Sequence, residues 1–540
     1  MFYLRLRNIQ MSHIHSLLNN NKLCGCAMLS LNYLQKFQTS CYLQIQTSGS
    51  YQLIEIILLL LLKSKIILAF FTSFCYITSQ YLNIKLFKEV TCQEPAQNPK
   101  PQLHVKPIDR HLQQINLDLI ARSTKFYQRT PQKISVFFFI KALCNAAYQN
   151  IFSYSKVAFL LGLLGINVSK QGVALRFNLN TVALLKQTLN SLIDNISGLY
   201  RARKQCVLDC FNHVYLHDST YLKLPQHLSD AYQGAQNQSR KKSAGMKIQA
   251  VFDLKKDQMA DFSFSAFTRT DQTAANDILK LVKPRDLVIR DLGYFVLNVF
   301  KTFSQMGVFF LSRYKNNVAI YCSKTHKRLS LLSLLSKHAP TDIDVLIGCD
   351  QRLPVRLVAV PVPDCVANER RRKAKNNKDR RCNPSKEDLN LLGWQIFVTT
   401  IDRNVCDPLM ICKLYAIRWR IEIIFKAWKS HLALVAVPEG PKEQLDIYIY
   451  CQLINITIFS AFFDHLNRYM INRHNQFISM LKIAPLFNQI VGAIHLLSET
   501  FDSQHLELYL EKLLLRHCCY EKRNKRTNYP ELLEHLAFLA

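Results

Sequence analysis

The spacing of apolar and polar positions divides the chain into a helical first part, a mixed middle part and a helical last part. From about residue 105 to 205, apolar residues recur every three or four positions, which predicts amphipathic helices. Between 211 and 315 the pattern predicts three strands, a helix, a strand, a second helix and a final strand. Residues 316–401 are patterned mostly as strands, and helical spacing returns beyond residue 440.

This order of elements favours an α/β fold in which a mixed sheet is flanked by helices, as in a ribonuclease-H-like core. The strands of 316–401 then form a β-rich insertion, and the N-terminal and C-terminal regions are helical. Asp271 is the candidate cap of the helix "DQTAANDILKLV", and Gly307 closes the helix that follows. The corresponding domains are 1–104, an atypical extension; 105–205, helical; 206–440, the ribonuclease-H-like region with its β-rich insertion at 316–401; and 441–540, helical.

One segment of the helical first part, "SYSKVAFLLGLLGINVSKQGVALRFN", has the pattern of two helices joined by a turn. Gly165 lies in the predicted turn, and Ser169 is a plausible cap of the second helix. A helix-turn-helix could place that second helix in a DNA groove. A helical hairpin that packs on the core fits the same pattern, and the sequence leaves both interpretations open.

The stretch "YAIRWRIEIIFKAWK", residues 415–429, mixes isoleucines and tryptophans with four basic residues and one acid, Glu422. As a single helix turning about 100° per residue, it groups its polar side chains within an arc of roughly 80°. These are Tyr415, Arg418, Glu422, Lys426 and Lys429. The neighbouring apolar stripe contains Leu414, Ile417, Ile421, Ile424, Phe425 and Trp428.

A surface helix whose basic side chains snorkel at the edge of an apolar face is the simpler interpretation of this stretch. It explains the basic residues but leaves the single acid among them unexplained. A carboxylate surrounded by cations stays ionised, and it can hold a metal ion while the cations hold phosphates. Two further acids stand out: Asp218 in "LHDSTY" interrupts an otherwise apolar predicted strand, and Asp291 in "LVIRDLGY" lies where a predicted buried strand runs into a turn. Alone, each is more typical of a cap or a turn residue.

The charge balance limits the kinds of binding partner that we expect. Lys and Arg number 69 and Asp and Glu number 38, which gives a formal net charge of +31. Such a surplus indicates nucleic acid or an anionic membrane surface. Part of it is concentrated in "NERRRKAKNNKDRRCNPSKED", which we expect to be a mobile basic loop in contact with phosphates. Arg370, Arg371 and Arg372 lie in this run, and a solvated charge run is the alternative.

Seventeen cysteines, an odd number spread over 540 residues, suit a reducing cytoplasm better than a small disulfide scaffold. The spacing of Cys206, Cys210, His213 and His217 permits a zinc site. The segment runs directly into a predicted strand, so ordinary buried cysteines are the preferred interpretation.

Residues 1–104 differ from the rest of the chain. Their apolar stretch "IEIILLLLLKSKIILAFF" is interrupted by Lys63 and Lys65, and each remaining run is far shorter than the roughly 18 residues of a membrane span. A marginal membrane helix is one interpretation, and translated sequence upstream of the true start is the other. No Met lies between Met28 and Met246, so a later start would need another codon. We expect a cytoplasmic, nucleoid-associated protein rather than a membrane-associated one.

The stretch at 415–429 carries Tyr415-x2-Arg418-x3-Glu422-x6-Lys429, which resembles the signature of bacterial DDE transposases of the insertion sequence four family. The string "RWRIE" followed by "KAWK" is similar to the corresponding helix in the subgroup that includes the Tn-five transposase. "HDST" resembles the family's first aspartate block and "RDLGYF" its second. The resemblance covers roughly residues 105 to 500, and residues 1–100 have no counterpart in it. It implies that 206–440 is the catalytic domain and 105–205 a DNA-binding domain.

The resemblance implies that Asp218, Asp291 and Glu422 hold two Mg²⁺ or Mn²⁺ ions. One ion would activate water and the other would stabilise the leaving oxygen. Further residues would contact DNA: Tyr415, Arg418 and Lys429 at phosphates, Lys426 beside them, and Trp394 by stacking on a flipped-out base.

The implied substrates are double-stranded element ends and target DNA, not a small molecule, and the implied state on DNA is a homodimer. The implied reaction is cut-and-paste transposition, in which the freed 3′-hydroxyl is joined to target DNA. A metal-dependent nuclease without strand transfer, a non-catalytic DNA-binding remnant and a membrane-associated protein are the alternatives.

Overall fold

A computed structural model describes residues 109–129, 133–196, 206–235, 243–335, 339–377, 383–432, 434–435, 437–487, 503–521 and 528–536. Residues 94–540 form one compact unit, to which all of these ranges belong. The expectations for residues 1–104, including the apolar stretch around residue 60, lie outside the described residues.

The strands make up one mixed sheet. They are β1 (Val214–Leu224), β2 (Ala244–Asp253), β3 (Gln258–Ala266), β4 (Leu287–Arg290), β5 (Phe309–Arg313), β6 (Ile320–Cys322), β7 (Arg328–Leu329), β8 (Thr341–Ile347), β9 (Leu353–Pro361) and β10 (Trp394–Thr399). In the part of the chain that the structure describes, they form a ten-stranded sheet in the order β3-β2-β1-β4-β5-β10-β9-β8-β6-β7.

The helices, numbered in chain order, lie before, between and after these strands. They are α1 (Asp109–Gln113), α2 (Leu117–Ser123), α3 (Val136–Tyr148), α4 (Tyr154–Leu163), α5 (Lys170–Ala174), α6 (Leu179–Asn195), α7 (Asp271–Ala274), α8 (Leu297–Gln305), α9 (Leu331–Leu334), α10 (Asp364–Lys375), α11 (Lys386–Leu391), α12 (Pro408–Ala416), α13 (Trp419–His431), α14 (Lys442–His474), α15 (Met480–Ile483), α16 (Ser503–His517) and α17 (Tyr529–Glu534).

The first half of the sheet has the predicted order of three strands, helix, strand, helix, strand. Strands β1, β2 and β3 pair antiparallel, whereas β1, β4 and β5 are parallel. The register pairs His217 with Arg290 and Arg290 with Ser312. Because the next residues on β1 and after β4 are Asp218 and Asp291, both acids lie at the same edge of the sheet.

The predicted β-rich insertion is present, and its strands extend the same sheet. Strand β10 pairs antiparallel with β5, Phe397 opposite Arg313, and also with β9. An antiparallel partner begins where its neighbour ends. Trp394, the first residue of β10, therefore lies beyond the edge at which β5 ends. The insertion thus brings side chains from distant sequence to the edge that carries Asp218 and Asp291.

Two hydrophobic cores cover the faces of the first half of the sheet. One includes the α8 side chains Phe300 and Phe303. The other includes side chains from α3, α6, α12, α13 and α14. Helix α14 is long and apolar enough to cross a membrane by length and composition, but 83% of its most apolar window is buried inside the protein. It also binds the N-terminal helices, since Gln452 and Asn455 donate to the carbonyls of Ala147 and Cys144 (2.8 and 2.9 Å).

The two-helix segment has the predicted first helix and turn, but its second helix is shorter than predicted. Gly165 adopts φ +80° in the turn between α4 and α5, a conformation that favours glycine. The Ser169 hydroxyl accepts a hydrogen bond from the Gly172 N–H at 3.1 Å and caps α5. Helix α5 contains five residues, much shorter than expected of a helix that fills a DNA groove.

The predicted helix "DQTAANDILKLV" is also shorter than expected, and its cap is wrong by one residue. The side chain of Thr270, not Asp271, accepts from the Thr273 N–H and caps α7. The second part of the segment is a separate 3₁₀ turn, Asp277–Lys280. Asp271 is instead engaged with neighbouring strands, as described below.

The mobile basic loop predicted around Arg370–Arg372 is wrong for residues 370–375, which belong to helix α10. Ala367 is buried on this helix. Glu369 pairs with Arg372 and Lys373, three and four residues on, a spacing that stabilises helices. Sequence-based reasoning counted apolar positions and overlooked how well Ala, Glu, Arg and Lys form helices.

The single helix predicted at 415–429 is interrupted. Helix α12 ends at Ala416 and α13 begins at Trp419. At the junction, N–H groups donate to the carbonyl three residues earlier instead of four, as the Arg420 N–H does to the Ile417 carbonyl (2.8 Å). The predicted apolar stripe is buried throughout: Leu414, Ile417, Ile421, Ile424, Phe425 and Trp428. Tyr415 therefore belongs to the helix before the one that carries Glu422.

Candidate active site

Three elements bring the predicted carboxylates into one place. Asp218 lies on β1, and Asp291 follows β4 directly. Glu422 lies in the first turn of α13, and this helix packs on the face of the sheet to which Asp218 points. A position within β1, the end of β4 and a helix therefore supply one acid each, although the acids are separated by 73 and 131 positions in the sequence.

Arg418 connects two of these acids. Its Nη1 donates to Asp218 Oδ2 at 3.0 Å, and its Nη2 donates to Glu422 Oε1 at 2.5 Å. The other oxygen of Asp218, Oδ1, accepts the N–H of Ser219 at 2.8 Å. Side-chain exposure is 14% for Arg418, 17% for Asp218 and 30% for Glu422, so the ion pairs lie in a partly closed site.

The acids influence one another electrostatically. Burial, with a smaller contribution from the negative charges of Asp291 and Glu422, raises the pKa of Asp218 to about 6. The Ser219 N–H and the Arg418 guanidinium lower that pKa but do not offset the rise. The three carboxylates are therefore close enough to repel one another, a condition that a bound cation relieves.

A polar network supports β1 behind Asp218. Asp271 Oδ1 accepts from Ser219 Oγ (2.9 Å) and Gln249 Nε2 (3.2 Å), and it pairs with Lys247 (3.1 Å). A groove of about 640 Å³ opens beside the network, and its lining includes Lys247, Asp271 and Gly293. Sequence-based reasoning missed this groove because its residues meet only when β1, β2 and α7 are assembled.

Tyr415, a predicted phosphate contact, is 6% exposed. The guanidinium carbons of Arg418 and Arg313 lie 5.9 and 5.5 Å from its ring centre, and Phe397 packs against it. Its ring contacts Arg418, which pairs with Asp218 and Glu422, and its own role at phosphates stays a prediction. Arg313 was not among the predicted site residues.

Trp394 is partly buried at the start of β10, beyond the edge that carries the acids. The Nη1 of Arg370 donates to its carbonyl at 3.3 Å. Burial lowers the pKa of Arg370, and the charge of Arg313 lowers it further, so the two guanidinium groups are neighbours. The structure thereby brings a tryptophan and two arginines to the side of the sheet where the carboxylates lie.

The other predicted basic residues differ in surroundings. Lys426 is exposed on α13, whereas Lys429 is half-buried and burial lowers its pKa. The Arg371 Nε donates to the Leu389 carbonyl at 3.0 Å, so this side chain holds α10 against α11. Arg372 is 69% exposed and pairs with Glu369.

Sequence-based reasoning missed Trp419, which is 57% exposed directly after Arg418. A weak signal for it was present, since a residue four positions after Tyr415 falls roughly 20° beyond the edge of the predicted polar arc.

The alternative zinc ligands make other contacts. His213 Nδ1 lies 2.7 Å from Asp253 Oδ2, and His217 is buried with its ring centre 4.4 Å from that of Tyr294. Cys206 and Cys210 are partly buried thiols. These contacts agree with the preferred interpretation of the segment as part of the protein interior.

The chemistry of the three acids suits a hard divalent cation, because carboxylate oxygens are the ligands that Mg²⁺ and Mn²⁺ favour. A cationic group already contacts two of them, which shows that the site attracts positive charge. Within the described ranges, no three His, Cys, Asp or Glu side chains are grouped closely enough to hold an ion as they stand. Arg418 occupies one oxygen each of Asp218 and Glu422.

Comparison with known proteins adds independent information. Residues 210–438 match the family described as "Transposase DDE domain". The transposase for insertion sequence element IS231E of Bacillus thuringiensis subsp. finitimus is 25% identical over 453 residues, covering 80% of this chain and 93% of that protein. The transposase for IS231C of Bacillus thuringiensis subsp. berliner is 27% identical over 451 residues, covering 79% and 92%.

The transposase for IS231D of Bacillus thuringiensis subsp. finitimus is 28% identical over 404 residues, covering 71% of this chain and 84% of that protein. Among solved structures, a cryo-EM structure of the piggyBac transposase synaptic complex with hairpin DNA aligns with a TM-score of 0.34 and 11% identity. That alignment covers 80% of this chain and 83% of the other.

Proposed function

This chain carries the DDE domain of a bacterial insertion-element transposase, and from that premise we propose that it binds the ends of its element, cleaves them and joins them to target DNA. The observation that carries the proposal is that Arg418 pairs with both Asp218 and Glu422, while Asp291 lies near enough to Asp218 to raise its pKa. The matched family segment, 210–438, lies within the predicted catalytic domain, 206–440.

We infer that the half-sheet β3-β2-β1-β4-β5 is the ribonuclease-H-like core of this enzyme. Its first three strands are antiparallel and β4 and β5 run parallel to β1, so β4 and β5 end at one edge, level with Asp218 on β1. Ligands of mixed and parallel sheets bind beyond such an edge. The proposed active site lies there.

In this proposal, Asp218, Asp291 and Glu422 hold two Mg²⁺ or Mn²⁺ ions. When bound, such ions lower the pKa of an attacking water and neutralise the charge on the leaving oxygen. The chain itself contributes the position of each carboxylate. The Ser219 N–H fixes one oxygen of Asp218, and the network at Asp271 holds Ser219 in turn.

The basic residues around the acids are assigned to DNA. Arg418, Lys426 and Lys429 would contact phosphates near the scissile bond, and Trp394 would stack on an unpaired base. Arg372 is exposed and would contact the duplex farther out. Such contacts position DNA without reading its sequence, because they bind the backbone. Work on chromosomal DNA also implies a cytoplasmic, nucleoid-associated protein.

A homodimer on paired ends is part of the proposal. Helix α16 buries Leu510 and Leu514 but exposes Leu508 (45%), Tyr509 (54%) and Leu513 (39%). Exposed apolar residues grouped on a helix are typical of protein contacts. The face defined by Leu508, Tyr509 and Leu513 supports a contact between two copies of the chain.

The decisive experiment incubates the purified chain with Mg²⁺ and a synthetic duplex copied from the DNA bordering the gene. We expect cleaved product and product joined to a target plasmid. Glu422→Gln should reduce both by several orders of magnitude, because residues of a catalytic set act as a unit. Glu439→Gln, the same change at an exposed position outside the site, is the matched control and should retain both products.

The products separate the competing functions. Cleavage without joining would favour a metal-dependent nuclease. Binding without cleavage, in a chain whose fold is intact by circular dichroism, would favour a non-catalytic remnant. Cleavage that is undiminished in Glu422→Gln would remove Glu422 from the proposed catalytic set.

A further inference from the structure

The oxygens that would bind a metal are already held by a side chain of the protein. Arg418 contacts Asp218 Oδ2 and Glu422 Oε1 through two different nitrogens (3.0 and 2.5 Å). We infer that Arg418 is the resident counter-ion of this carboxylate pair, and that it exchanges for a divalent metal when a DNA phosphate takes its guanidinium. This inference rests on the proposed function, since it deepens the role of the same site.

A metal bound to these oxygens would face the guanidinium at close range. A carboxylate oxygen has two lone pairs, so the contact with Arg418 does not exclude a metal, but two cations on the same pair of oxygens repel each other. The remaining oxygen of Asp218 is bonded to the Ser219 N–H. A metal that binds the DNA-free protein must therefore displace Arg418 or bind against its positive charge, and either weakens its binding.

A DNA phosphate offers Arg418 an equivalent partner. The planar fork of a guanidinium matches phosphate as well as carboxylate, and one fork cannot serve both fully. Arg418 stands at the junction between α12 and α13, where both its flanking peptides lie outside the regular helices. A shift of this side chain from the acids to a phosphate leaves Asp218 and Glu422 negatively charged and open to metal.

The exchange couples two ligands. If DNA raises the affinity of the site for metal, metal raises the affinity for DNA by the same factor. Couplings of this kind typically amount to about 5- to 150-fold in affinity. The protein would accordingly assemble its full metal site on DNA and hold metal weakly when free.

The test measures Mn²⁺ binding to the full chain by electron paramagnetic resonance of unbound Mn²⁺, without DNA and without a readout of activity. Arg418→Gln should bind Mn²⁺ more tightly than the wild type, by a factor within the 5- to 150-fold range given above. Arg418→Lys keeps the charge but loses the fork, and its affinity should fall between the two.

Arg313→Gln is the matched control. It removes a guanidinium from the same Tyr415 ring, and its Mn²⁺ affinity should equal that of the wild type. An equal gain in Arg313→Gln would assign the effect to net charge instead of the contact with Asp218 and Glu422, and would overturn the inference. Circular dichroism and thermal unfolding show that each variant is folded before its affinity is compared.

A second arm adds the duplex copied from the DNA bordering the gene. Duplex should tighten Mn²⁺ binding to the wild type and should have little effect on Arg418→Gln, in which the competitor is already gone. Equal Mn²⁺ affinity in wild type and Arg418→Gln, both folded, overturns the inference even if the wild type cleaves and joins DNA. Tighter Mn²⁺ binding in a chain that never cleaves DNA supports the inference while the proposed function fails.

Discussion

At the scale of single residues, burial separates side chains that look alike in the sequence. The three tryptophans are an example. Trp428 is fully buried, Trp419 is 57% exposed and Trp394 is partly buried at the active-site edge. Only the last two can stack on a base. Lys426 and Lys429 differ in the same way, because the second is half-buried and the first is in solvent.

Lys429→Ala tests a single predicted phosphate contact. We expect weaker binding to the bordering-DNA duplex and a plot of log affinity against log salt whose slope is shallower by about 0.9, the value for one neutralised phosphate. The measurement is a series of binding titrations at increasing salt. Lys301→Ala, on α8 at the opposite face of the sheet, is the control and should change neither quantity. Unchanged binding in Lys429→Ala would return Lys429 to the role of a snorkelling surface residue.

At the scale of elements, buried polar contacts position the helices that complete the site. Arg420 on α13 is 3% exposed and pairs with Asp257 in the β2–β3 turn at 3.3 Å. This contact fixes the helix that carries Glu422 relative to the strands that carry the other acids. Glu511 plays a similar part on α16, since Tyr469 (2.6 Å) and His474 (2.5 Å) of α14 both bind it.

Arg420→Ala should destabilise the protein by about 3–5 kcal/mol, because it leaves Asp257 buried without its partner. Chemical denaturation, followed by circular dichroism, measures the change. Lys426→Ala, at an exposed position of the same helix, should change stability by no more than about 0.5 kcal/mol. Equal effects of the two substitutions would show that the Arg420–Asp257 pair does not hold α13 in place.

The attachment of α16 should depend on pH. Burial raises the pKa of Glu511, but its bonds from Tyr469 and His474 and the charge of Arg473 lower it more, so the net pKa is below the ordinary value of 4.5. A depressed folded-state pKa stabilises the protein above the unfolded pKa and loses that contribution as pH falls through the folded pKa.

Thermal unfolding of wild type and Glu511→Gln as a function of pH measures this effect. The wild type should be the more stable above about pH 4.5, and the difference should shrink as pH falls below that value. A difference that is constant with pH would mean that the charge of Glu511 does not contribute to the attachment.

At the scale of the whole molecule, the predicted domains share one hydrophobic core. Side chains of α3, α6, α13 and α14 belong to a single buried cluster that also includes residues of β1, β2 and β4. Helix α14 contacts the N-terminal helices, the sheet and the C-terminal segment, so it acts as a central support for the whole unit. The catalytic domain is therefore expected to depend on helices outside the matched segment 210–438.

Truncation tests this dependence. A chain of residues 94–540 should unfold cooperatively, because these residues form one compact unit. A chain of residues 94–440 lacks α14, whose buried side chains include Phe459 and Phe463, and should aggregate or lose cooperative unfolding. Size-exclusion chromatography and thermal unfolding compare the two. A folded, monomeric 94–440 chain would contradict a shared core.

Local patterns account for much of the fold and for the identity of the acids. Alternating and helical spacing predicted the order of strands and helices from 214 to 313, the hairpin before Gln258 and the turn at Gly307. Asp218, Asp291 and Glu422 stood out because each interrupts an apolar pattern. These features depend on neighbouring residues, which the sequence displays directly.

Contacts between distant segments were decided only by the tertiary structure. Burial of Tyr415, the helix at Arg370–Arg372 and the bond from Arg418 to Asp218, 200 positions away, all depend on which surfaces pack together. The register of β1 on β4 and of β10 on β5 brings Asp218, Asp291 and Trp394 to one edge. The sequence by itself determined the chemical groups and their local elements, while the assembled sheet determined which groups meet, because pairing energy depends on partners that local spacing does not specify.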